Sequence, residues 1–377
     1  MKVGVPREIK SNEYRVGLTP AAVKEVITHG HRVLVETQAG AAIGFCDEEY
    51  LAAGADILGS ADEVFARAEL IVKVKEPLAV ERARLSEHHS LFAFLHLAPD
   101  PEQTRELMAS GALCIAYETV TDDAGRLPLL APMSEVAGRM SIQAGAHCLE
   151  KEEGGRGVLL GGVPGVEPGL VTIIGAGVVG RNALAMAVGL GADVTVLDRD
   201  VNALRAIDER YGNRARTSLA TAHALEECVL RADLVVGAVL VPGAAAPKLV
   251  SRELVGRMKT GAVLVDVSID QGGCFETSHP TTHQEPTFEV DGVVHYCVAN
   301  MPGAVARTST LALNNVTLPY VLVLADKGTK TALLEDSHLL DGLNVARGHL
   351  CRKEVAEAQG LEYRPARDVL EQMVSGH

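Results

Sequence analysis

Short apolar segments alternate with longer segments of mixed polarity along most of the 377-residue chain. The short segments are rich in Val, Ile and Leu, which is typical of strands, and the longer ones space their apolar residues as helices do. This alternation predicts βαβ units and parallel sheets. Strands are predicted at Lys2–Val5, Arg32–Glu36, Leu70–Val74, Leu91–Leu95, Leu113–Ala116, Val171–Ile174, Asp193–Leu197, Leu234–Ala238, Val263–Val267 and Val293–Val298.

The helical spacing predicts helices at Pro20–Thr28, Ala61–Ala66 and Pro101–Ser110, and a long helix at Leu130–His147 that links two domains, with Ser134 near its start. A further apolar helix is predicted at Ser309–Leu324, where it is either core or part of a subunit interface. The last fifty residues read as helical and polar. Two segments resemble each other, ARAELIVKVKEP and LRADLVVGAVLVPG. Either two related doubly wound domains or chance similarity between apolar strands would explain this resemblance.

Two lysines, Lys73 and Lys75, lie at the end of the predicted strand Leu70–Val74. Strand alternation puts both on the face that carries Ile71. One interpretation is an exposed edge strand, where lysine opposes aggregation. The other is that the end of the strand directs a cation into an active site.

The motif VTIIGAGVVGRNALAMAVGLGADVTVLDRD predicts a dinucleotide site. Gly175 would allow a tight turn, Gly177 the approach of a pyrophosphate, and Gly180 close packing of the helix on the strand. The helix N-terminus would offer N–H groups to the phosphates. Asp198 lies about 20 residues later, where a carboxylate accepts hydrogen bonds from ribose hydroxyls and favours NAD over NADP. Arg199 beside it would instead favour a 2′-phosphate.

Composition narrows the function classes. Hydrophobic residues make up 47% of the chain and aromatics 3%, Trp is absent, and the net charge is −14, so nucleic acid is not an expected partner. The seven cysteines, without a CxxC pair, suggest buried thiols in a reducing cytoplasm. No signal peptide, membrane-spanning helix or metal motif such as HExxH is recognised.

Polar residues follow several predicted strands, and ligands of open α/β sheets bind at the carboxyl ends of strands. His96, Asp270 and Asn300 fit this rule, as does Lys75, whereas Arg15 lies in a loop after the first strand. Alternatives remain for each interpretation. His96 could equally be a packed core histidine, Asp270 a residue that only starts a turn, and Arg15 a surface residue. Asp266 could be the functional acid in place of Asp270, and Lys73 the functional lysine in place of Lys75.

Several segments together resemble the L-alanine dehydrogenase family over nearly the whole chain, in order and at the expected spacings. The segments are VGVPREIKSNEYRVGLTP, VKVKEP, FLHLA, MSEVAGRMS, LLGGVPGV, GAGVVG and NMPGAVARTST. The resemblance implies two Rossmann-like domains, with an NAD domain (residues 130–305) inserted into a substrate domain (1–129 plus 306–377) and an active site in the interdomain cleft. It also implies a homohexamer in the cytoplasm, without a nucleic-acid or membrane partner.

The resemblance further implies the chemistry: NAD-dependent oxidative deamination of L-alanine to pyruvate and ammonium, and the reverse reaction, without a metal. Arg15 and Lys75 would bind the substrate, and His96 and Asp270 would transfer protons, with Lys75 stabilising charge. The resemblance also implies that Met133 and Asn300 contact the substrate. Expected cofactor contacts are Ser134, Gly175, Gly177, Val178, Val179, Gly180, Asp198, Val239, Leu240, Ile269, Asp270, Asn300 and Met301.

Two other functions remain open. The related NAD-binding subunit of proton-translocating transhydrogenase usually lacks a lysine at position 75 and the SIDQGG form around Asp270, and both features are present here. A dehydrogenase for another amino acid would differ in pocket size, for which Tyr117, Met133 and Met301 are the suspected lining. Ala220 stands where family members often carry a serine near the adenosine.

Overall fold

A computed structural model describes residues 1–239 and 246–375, and the side chains up to residue 372. The chain divides into two compact units, Met1–Pro132 with Val305–His377, and Met133–Ala304. The first is called unit 1 and the second unit 2. Each contains one sheet with helices and its own buried core.

The strands are β1 Lys2–Val5, β2 Arg32–Glu36, β3 Asp56–Leu58, β4 Leu70–Val72, β5 Ser90–Ala93, β6 Leu113–Ala116, β7 Leu170–Ile174, β8 Asp193–Asp198, β9 Arg216–Leu219, β10 Leu234–Gly237, β11 Val263–Asp266, β12 Thr287–Val290, β13 Val293–Tyr296, β14 Leu343–Ala346 and β15 His349–Leu350. The α-helices are α1 Pro20–Thr28, α2 Asp47–Ala52, α3 Ala61–Arg67, α4 Ala79–Arg82, α5 Pro101–Ser110, α6 Ala131–Cys148, α7 Val178–Gly189, α8 Val201–Tyr211, α9 Ala222–Arg231, α10 Arg252–Gly256, α11 Ala306–Lys327, α12 Thr329–Glu335, α13 Ser337–Leu340, α14 Lys353–Gln359 and α15 Ala366–Ser375.

Both sheets are doubly wound. The order in unit 1 is β15-β14-β6-β5-β4-β1-β2-β3, with β1 to β6 parallel, β14 antiparallel to β6 and β15 antiparallel to β14. The order in unit 2 is β12-β13-β11-β10-β7-β8-β9, with only β12 antiparallel among its described strands. The strand order reverses between β1 and β4 in unit 1 and between β7 and β10 in unit 2. Ligands of open α/β sheets bind at such switch points. The predicted α/β fold with two Rossmann-like sheets is confirmed.

The strand that precedes the two lysines, β4, lies in the middle of its sheet. β4 pairs with β1 on one side and β5 on the other, so the interpretation as an edge strand is wrong. All three of its residues are buried, as expected for a parallel strand covered on both faces. The lysines therefore have a role inside the molecule.

The sequence pattern missed the strands that are short or paired at a distance. β3, β9, β12, β14 and β15 were not predicted, and the C-terminal fifty residues are not purely helical. β14 pairs with β6, which lies far away in sequence, and the two-residue strand β15 pairs with the adjacent β14. The helix predicted at Leu130–His147 is α6, Ala131–Cys148, and Ser134 lies near its start as predicted.

Helix Met301–Lys327 is long and apolar enough to cross a membrane by length and composition alone. Its polar residues are tied into unit 1. Asn314 accepts the Thr19 N–H at 2.8 Å and donates to the Gly17 carbonyl at 3.0 Å, and Thr317 is fully buried. These contacts support the interpretation of α11 as a core helix, which passes the same test of length and composition.

Candidate active site

Arg15 is buried beside an acid that the sequence did not identify. Its residue exposure is 2%, so the interpretation as a surface arginine is wrong. Glu13 accepts from Arg15 Nε at 2.6 Å and from Nη2 at 2.5 Å, a bidentate pair of the kind that fixes a guanidinium plane. Both residues, with Glu8, line an open cavity of about 460 Å³. A Cβ on Gly17 would lie 2.3 Å from the Val72 carbonyl oxygen, so the Arg15 loop packs directly against the end of β4.

Lys73 and Lys75 have different surroundings. The Lys73 ammonium is fully buried between Glu8, at 3.0 Å, and Glu81, at 2.8 Å. Lys75 is half-buried, and its charge lowers the pKa of Glu76 against the opposing effect of burial. Glu8 also accepts the backbone N–H groups of Val74, at 2.7 Å, and Lys75, at 3.4 Å. Lys73 is therefore engaged in a buried ion-pair network, whereas Lys75 lies partly open at the carboxyl end of β4.

His96 is exposed at the carboxyl end of β5 and has a left-handed backbone, with φ 49°. Glu118 holds this backbone by accepting the His96 N–H at 2.6 Å and the Leu95 N–H at 3.2 Å. The imidazole stacks on Phe94, with ring centroids 5.6 Å apart. A non-glycine residue in this region is strained, and such strain clusters at functional sites. An exposed ring on a fixed backbone is not a packed core histidine.

The two acids near β11 separate into a buried and an exposed one. Asp266 is fully buried and accepts from the N–H groups of Ser268, Cys274 and Phe275 and from the Ser278 hydroxyl. Burial raises the pKa of Asp266, and these hydrogen bonds oppose the rise. Asp270 is exposed, in the single-turn 3₁₀ helix Val267–Gln271 that Asp266 caps. Asp266 thus holds the turn that presents Asp270.

Lys248 supports the same turn from the outside. Its Nζ donates to the carbonyl oxygens of Gly272 at 2.5 Å, Gly273 at 2.9 Å and Phe275 at 3.2 Å. Neither Lys248 nor Glu118, which holds the His96 backbone, belongs to a recognisable motif. Both act through backbone groups that only the folded chain brings near them.

The three glycines after β7 differ in what surrounds them. Gly175 has φ 108°, and a Cβ there would lie 2.5 Å from the Ala238 carbonyl oxygen. A Cβ on Gly180 would lie 1.8 Å from the Gly175 carbonyl oxygen, so the helix can approach the strand only without a side chain. A Cβ on Gly177 would meet no atom within 4 Å. The space at Gly177, at the N-terminus of α7, fits the approach of a pyrophosphate.

Asp198 is tied to this glycine turn. Its carboxylate accepts the Ala176 N–H at 2.5 Å and the Asp200 N–H at 2.8 Å. Each oxygen keeps further acceptor capacity for a ribose hydroxyl. Arg199 is exposed on the adjacent position.

The other expected cofactor residues lie mostly around the carboxyl edge of the unit 2 sheet. The Val239 carbonyl accepts the Ser268 hydroxyl at 2.6 Å, next to the buried Ile269. Asn300 has a left-handed backbone, with φ 62°, and precedes the buried Met301. Val178 and Val179 form the first turn of α7, and Met133 and Ser134 the first turn of α6. Leu240 lies outside the described residues.

Tyr117, suspected as lining of the substrate pocket, is fully buried and packs edge-on against Phe92 and Phe94. The prediction of buried thiols holds for five of the seven cysteines, whereas Cys46 is exposed and Cys228 partly so. Within residues 1–239 and 246–375, no cluster of three or more His, Cys, Asp or Glu side chains is arranged to hold a metal ion.

Two family models match the chain. The model for the alanine dehydrogenase/PNT N-terminal domain covers residues 4–137, and the model for the C-terminal domain covers residues 141–353. The alanine dehydrogenase of Halomonas elongata is 60% identical over 98% of this chain and 100% of its own length. The alanine dehydrogenase of Bacillus subtilis is 54% identical over 98% of both chains.

Comparison with solved structures gives the same family. A structure described as L-alanine dehydrogenase is 52% identical, with a TM-score of 0.92, over 95% of this chain and 99% of its own. A transhydrogenase structure from Sinorhizobium meliloti is 24% identical, with a TM-score of 0.80, over 94% of this chain and 99% of its own, and shows likeness of fold alone. With family models across both units and relatives at 60% and 54% identity over nearly the full length, the chain belongs to the alanine dehydrogenase family.

Proposed function

We propose that the chain is an L-alanine dehydrogenase that catalyses NAD-dependent deamination of L-alanine to pyruvate and ammonium, and the reverse amination. The observation that carries the proposal is Arg15, a buried guanidinium held by Glu13 at the wall of a cavity in unit 1. A fixed planar fork of donors suits a small carboxylate substrate. Relatives that are called alanine dehydrogenases and match over their full length support the same activity.

Arg15 and Lys75 would bind the carboxylate and the keto oxygen. Lys75 lies at the carboxyl end of β4, and the Arg15 loop packs against that strand through Gly17. A cation beside the keto oxygen stabilises the negative charge that develops there. Binding by two cations also selects against substrates without an α-carboxylate.

His96 and Asp270 would handle the protons. In the deamination direction, loss of a hydride from the substrate Cα leaves an imine. The imine carbon accepts a water oxygen, and the general base takes one proton from that water. The resulting carbinolamine loses ammonia as its hydroxyl gives up its proton to form the pyruvate carbonyl, and the released ammonia leaves as ammonium. His96 suits this role because an imidazole can both accept and donate a proton. The choice between His96 and Asp270 as the base is open.

A nicotinamide dinucleotide fits the residues of unit 2. The side-chain-free space at Gly177, the N-terminus of α7 and the Asp198 carboxylate match pyrophosphate and ribose respectively. When bound, the dinucleotide would supply the acceptor for the hydride that leaves the substrate Cα in deamination, and the hydride donor in amination. Asp198 would repel a 2′-phosphate, so we propose NAD rather than NADP. Ser134, Val239, Ile269, Asn300 and Met301 would line the rest of that site.

A homohexamer and a cytoplasmic location remain predictions from the family resemblance. The alternative of a transhydrogenase subunit has less support, because the transhydrogenase structure is only 24% identical. A dehydrogenase for a larger amino acid would differ in pocket size, because a small apolar pocket would exclude larger side chains by volume and would discriminate only modestly against glycine and serine.

The test is the absorbance of NADH formed from NAD⁺ and L-alanine at mildly alkaline pH. Wild type, Lys75→Ala and His96→Ala are compared, with NADH binding measured in parallel by fluorescence. The proposal predicts turnover by the wild type that both variants lose while NADH still binds. Intact NADH binding without turnover of alanine, glycine, serine or a larger amino acid would replace it with a non-catalytic binding subunit.

A further inference from the structure

The carboxylate of Glu8 takes the place of a strand at the point where Lys75 leaves the sheet. β1 ends at Val5, and its last pair with β4 is Gly4 with Ile71. On the other side of β4 the hydrogen bonding continues, since the Phe94 N–H donates to the Val74 carbonyl at 3.1 Å. On the β1 side, Glu8 Oε1 accepts the Val74 N–H at 2.7 Å and, more weakly, the Lys75 N–H at 3.4 Å. A side chain thus completes the hydrogen bonding of this segment.

Glu8 is itself held in place by Lys73. The Lys73 ammonium lies 3.0 Å from Glu8 Oε2 and 2.8 Å from Glu81 Oε1, and all three side chains are at most 2% exposed. Burial raises the pKa of Glu8, while the Lys73 charge and the Val74 hydrogen bond oppose the rise. Burial acts to lower the pKa of Lys73, but the two carboxylates outweigh it and the pKa is raised. Lys73 therefore stays charged and keeps Glu8 oriented.

A buried ion network of this kind is poor evidence for stability. Removing charges from water costs about as much as, or more than, their attraction returns. The geometry suggests another reason for its presence. One oxygen of Glu8 is engaged by Lys73 and the other by the backbone of residues 74 and 75, so the network fixes the direction of the chain there.

We propose that Glu8 is a positioning residue for Lys75: oriented by Lys73, it holds the backbone from which the Lys75 side chain reaches the α-keto acid. This inference rests on the proposed function, in which Lys75 binds the substrate. It also gives the two lysines of VKVKEP separate tasks. Lys75 contacts the substrate, and Lys73 holds the acid that places Lys75.

Glu81 provides a matched control inside the same network. It is as buried as Glu8 and also bonds Lys73, but its second oxygen accepts the Leu78 N–H at 2.9 Å, beyond the Lys75 segment. Glu8→Gln and Glu81→Gln each remove one charge that faces Lys73. A glutamine at position 8 has a single acceptor oxygen and cannot serve both the backbone and the ammonium.

The experiment measures pyruvate binding to the enzyme–NADH complex without ammonium, so that no turnover occurs. NADH fluorescence reports binding without interference from tryptophan, which the chain lacks. The proteins are wild type, Glu8→Gln, Lys75→Ala, the double variant and Glu81→Gln. Affinity for NADH alone checks that each variant is folded.

We expect Glu8→Gln to weaken pyruvate binding by about tenfold, the effect of disturbing one charge-assisted contact. On the Lys75→Ala background, Glu8→Gln should change the affinity for pyruvate by less than about twofold, because the effects of two residues that act through one another are not additive. Glu81→Gln should stay within about twofold of wild type. Equal losses on both backgrounds, or wild-type binding by Glu8→Gln, would overturn the inference and leave Glu8 a purely structural acid.

Two further outcomes are informative. If wild type binds no pyruvate, or Lys75→Ala binds it normally, the proposed function of Lys75 fails, and the inference about Glu8, which rests on it, fails with it. If Glu8→Gln does not fold, Glu8→Asp replaces it in the same cycle. Aspartate keeps the charge beside Lys73 but is one methylene shorter, so it cannot reach both partners. Weaker pyruvate binding only when Lys75 is present would again support the inference, and additive losses would overturn it.

Discussion

Glu13 holds the guanidinium of Arg15 through two parallel hydrogen bonds, from Nε to Oε1 at 2.6 Å and from Nη2 to Oε2 at 2.5 Å. The Glu13 side chain is fully buried and that of Arg15 is 2% exposed. The arginine proposed to bind the substrate is thus fixed before any substrate arrives. Fixing the guanidinium plane lowers the conformational entropy lost when a carboxylate binds to it.

Replacing Glu13 by Gln should raise the KM for L-alanine by about 10- to 100-fold, the equivalent of one disturbed charge-assisted hydrogen bond. The effect on kcat should be smaller, because carboxylate binding is similar in the ground and transition states. Steady-state kinetics measure both, and Glu102→Gln, an exposed change on α5, is the control. An unchanged KM in a folded Glu13→Gln enzyme would show that Arg15 does not need Glu13.

The glycine turn offers a pair of variants that separates cofactor binding from folding. Gly177→Ala should leave the free energy of unfolding within about 0.5 kcal/mol of wild type, because its added Cβ meets nothing and its φ of −68° suits any residue. NADH affinity should nevertheless fall at least about tenfold, since the methyl group occupies the pyrophosphate approach.

Gly180→Ala is the contrasting change. Its Cβ would lie 1.8 Å from the Gly175 carbonyl oxygen, so the helix must move, at a cost of at least about 2 kcal/mol of unfolding free energy. Urea unfolding and NADH fluorescence measure the two quantities. Normal NADH binding by Gly177→Ala would show that the pyrophosphate does not approach this turn.

His96 can be tested without disturbing its strained backbone. Asparagine tolerates positive φ better than other non-glycine residues, so His96→Asn should be more stable than His96→Ala by about 1 kcal/mol. Its kcat should fall by about 10²- to 10⁴-fold, the usual contribution of a general acid–base group. Arg347, with φ 48°, is the control site, and the Asn variant should again exceed the Ala variant in stability. Near-normal kcat in His96→Asn would remove His96 from proton transfer.

Glu76 predicts a pH dependence of stability. Burial acts to raise its pKa, but the charge of Lys75 and the contact with Lys10 bring the pKa below the ordinary 4.5. A lowered pKa in the folded state adds stability above the unfolded-state value, and this stability is lost as the pH falls through the folded-state value.

Lys10→Met should therefore lower the unfolding free energy by about 0.5 kcal/mol at pH 7, a small amount because Lys10 is 40% exposed. The difference from wild type should shrink below pH 4.5 and vanish once Glu76 is protonated in both proteins. Urea unfolding at several pH values measures it, with the exposed Lys24→Met on α1 as the control. A difference that persists undiminished in acid would assign it to lost packing of the Lys10 stem.

Much of the molecule follows from local sequence. Apolar runs placed β1, β2 and β6 at their observed bounds, and Pro20–Thr28 and Pro101–Ser110 at theirs, because periodicity, caps and proline act within a few residues. The spacing of Gly175, Gly177 and Gly180 likewise predicted a tight turn between β7 and α7, where Gly175 has a positive φ and Gly180 has no room for a side chain. Family membership followed from motifs that extend over both units.

Only the tertiary structure decided the rest. Local alternation treats Lys73 and Lys75 alike, yet one is enclosed by two acids and the other is half-buried, since enclosure depends on where Glu8 and Glu81 arrive. The central position of β4 depends on its neighbours, and β14 exists because β6 pairs with it. Glu13 and Glu8 lie in the segment VGVPREIKSNEYRVGLTP, but the sequence pattern gave neither of them a role. Their importance comes from burial, which removes water as a competing partner and makes each remaining hydrogen bond specific.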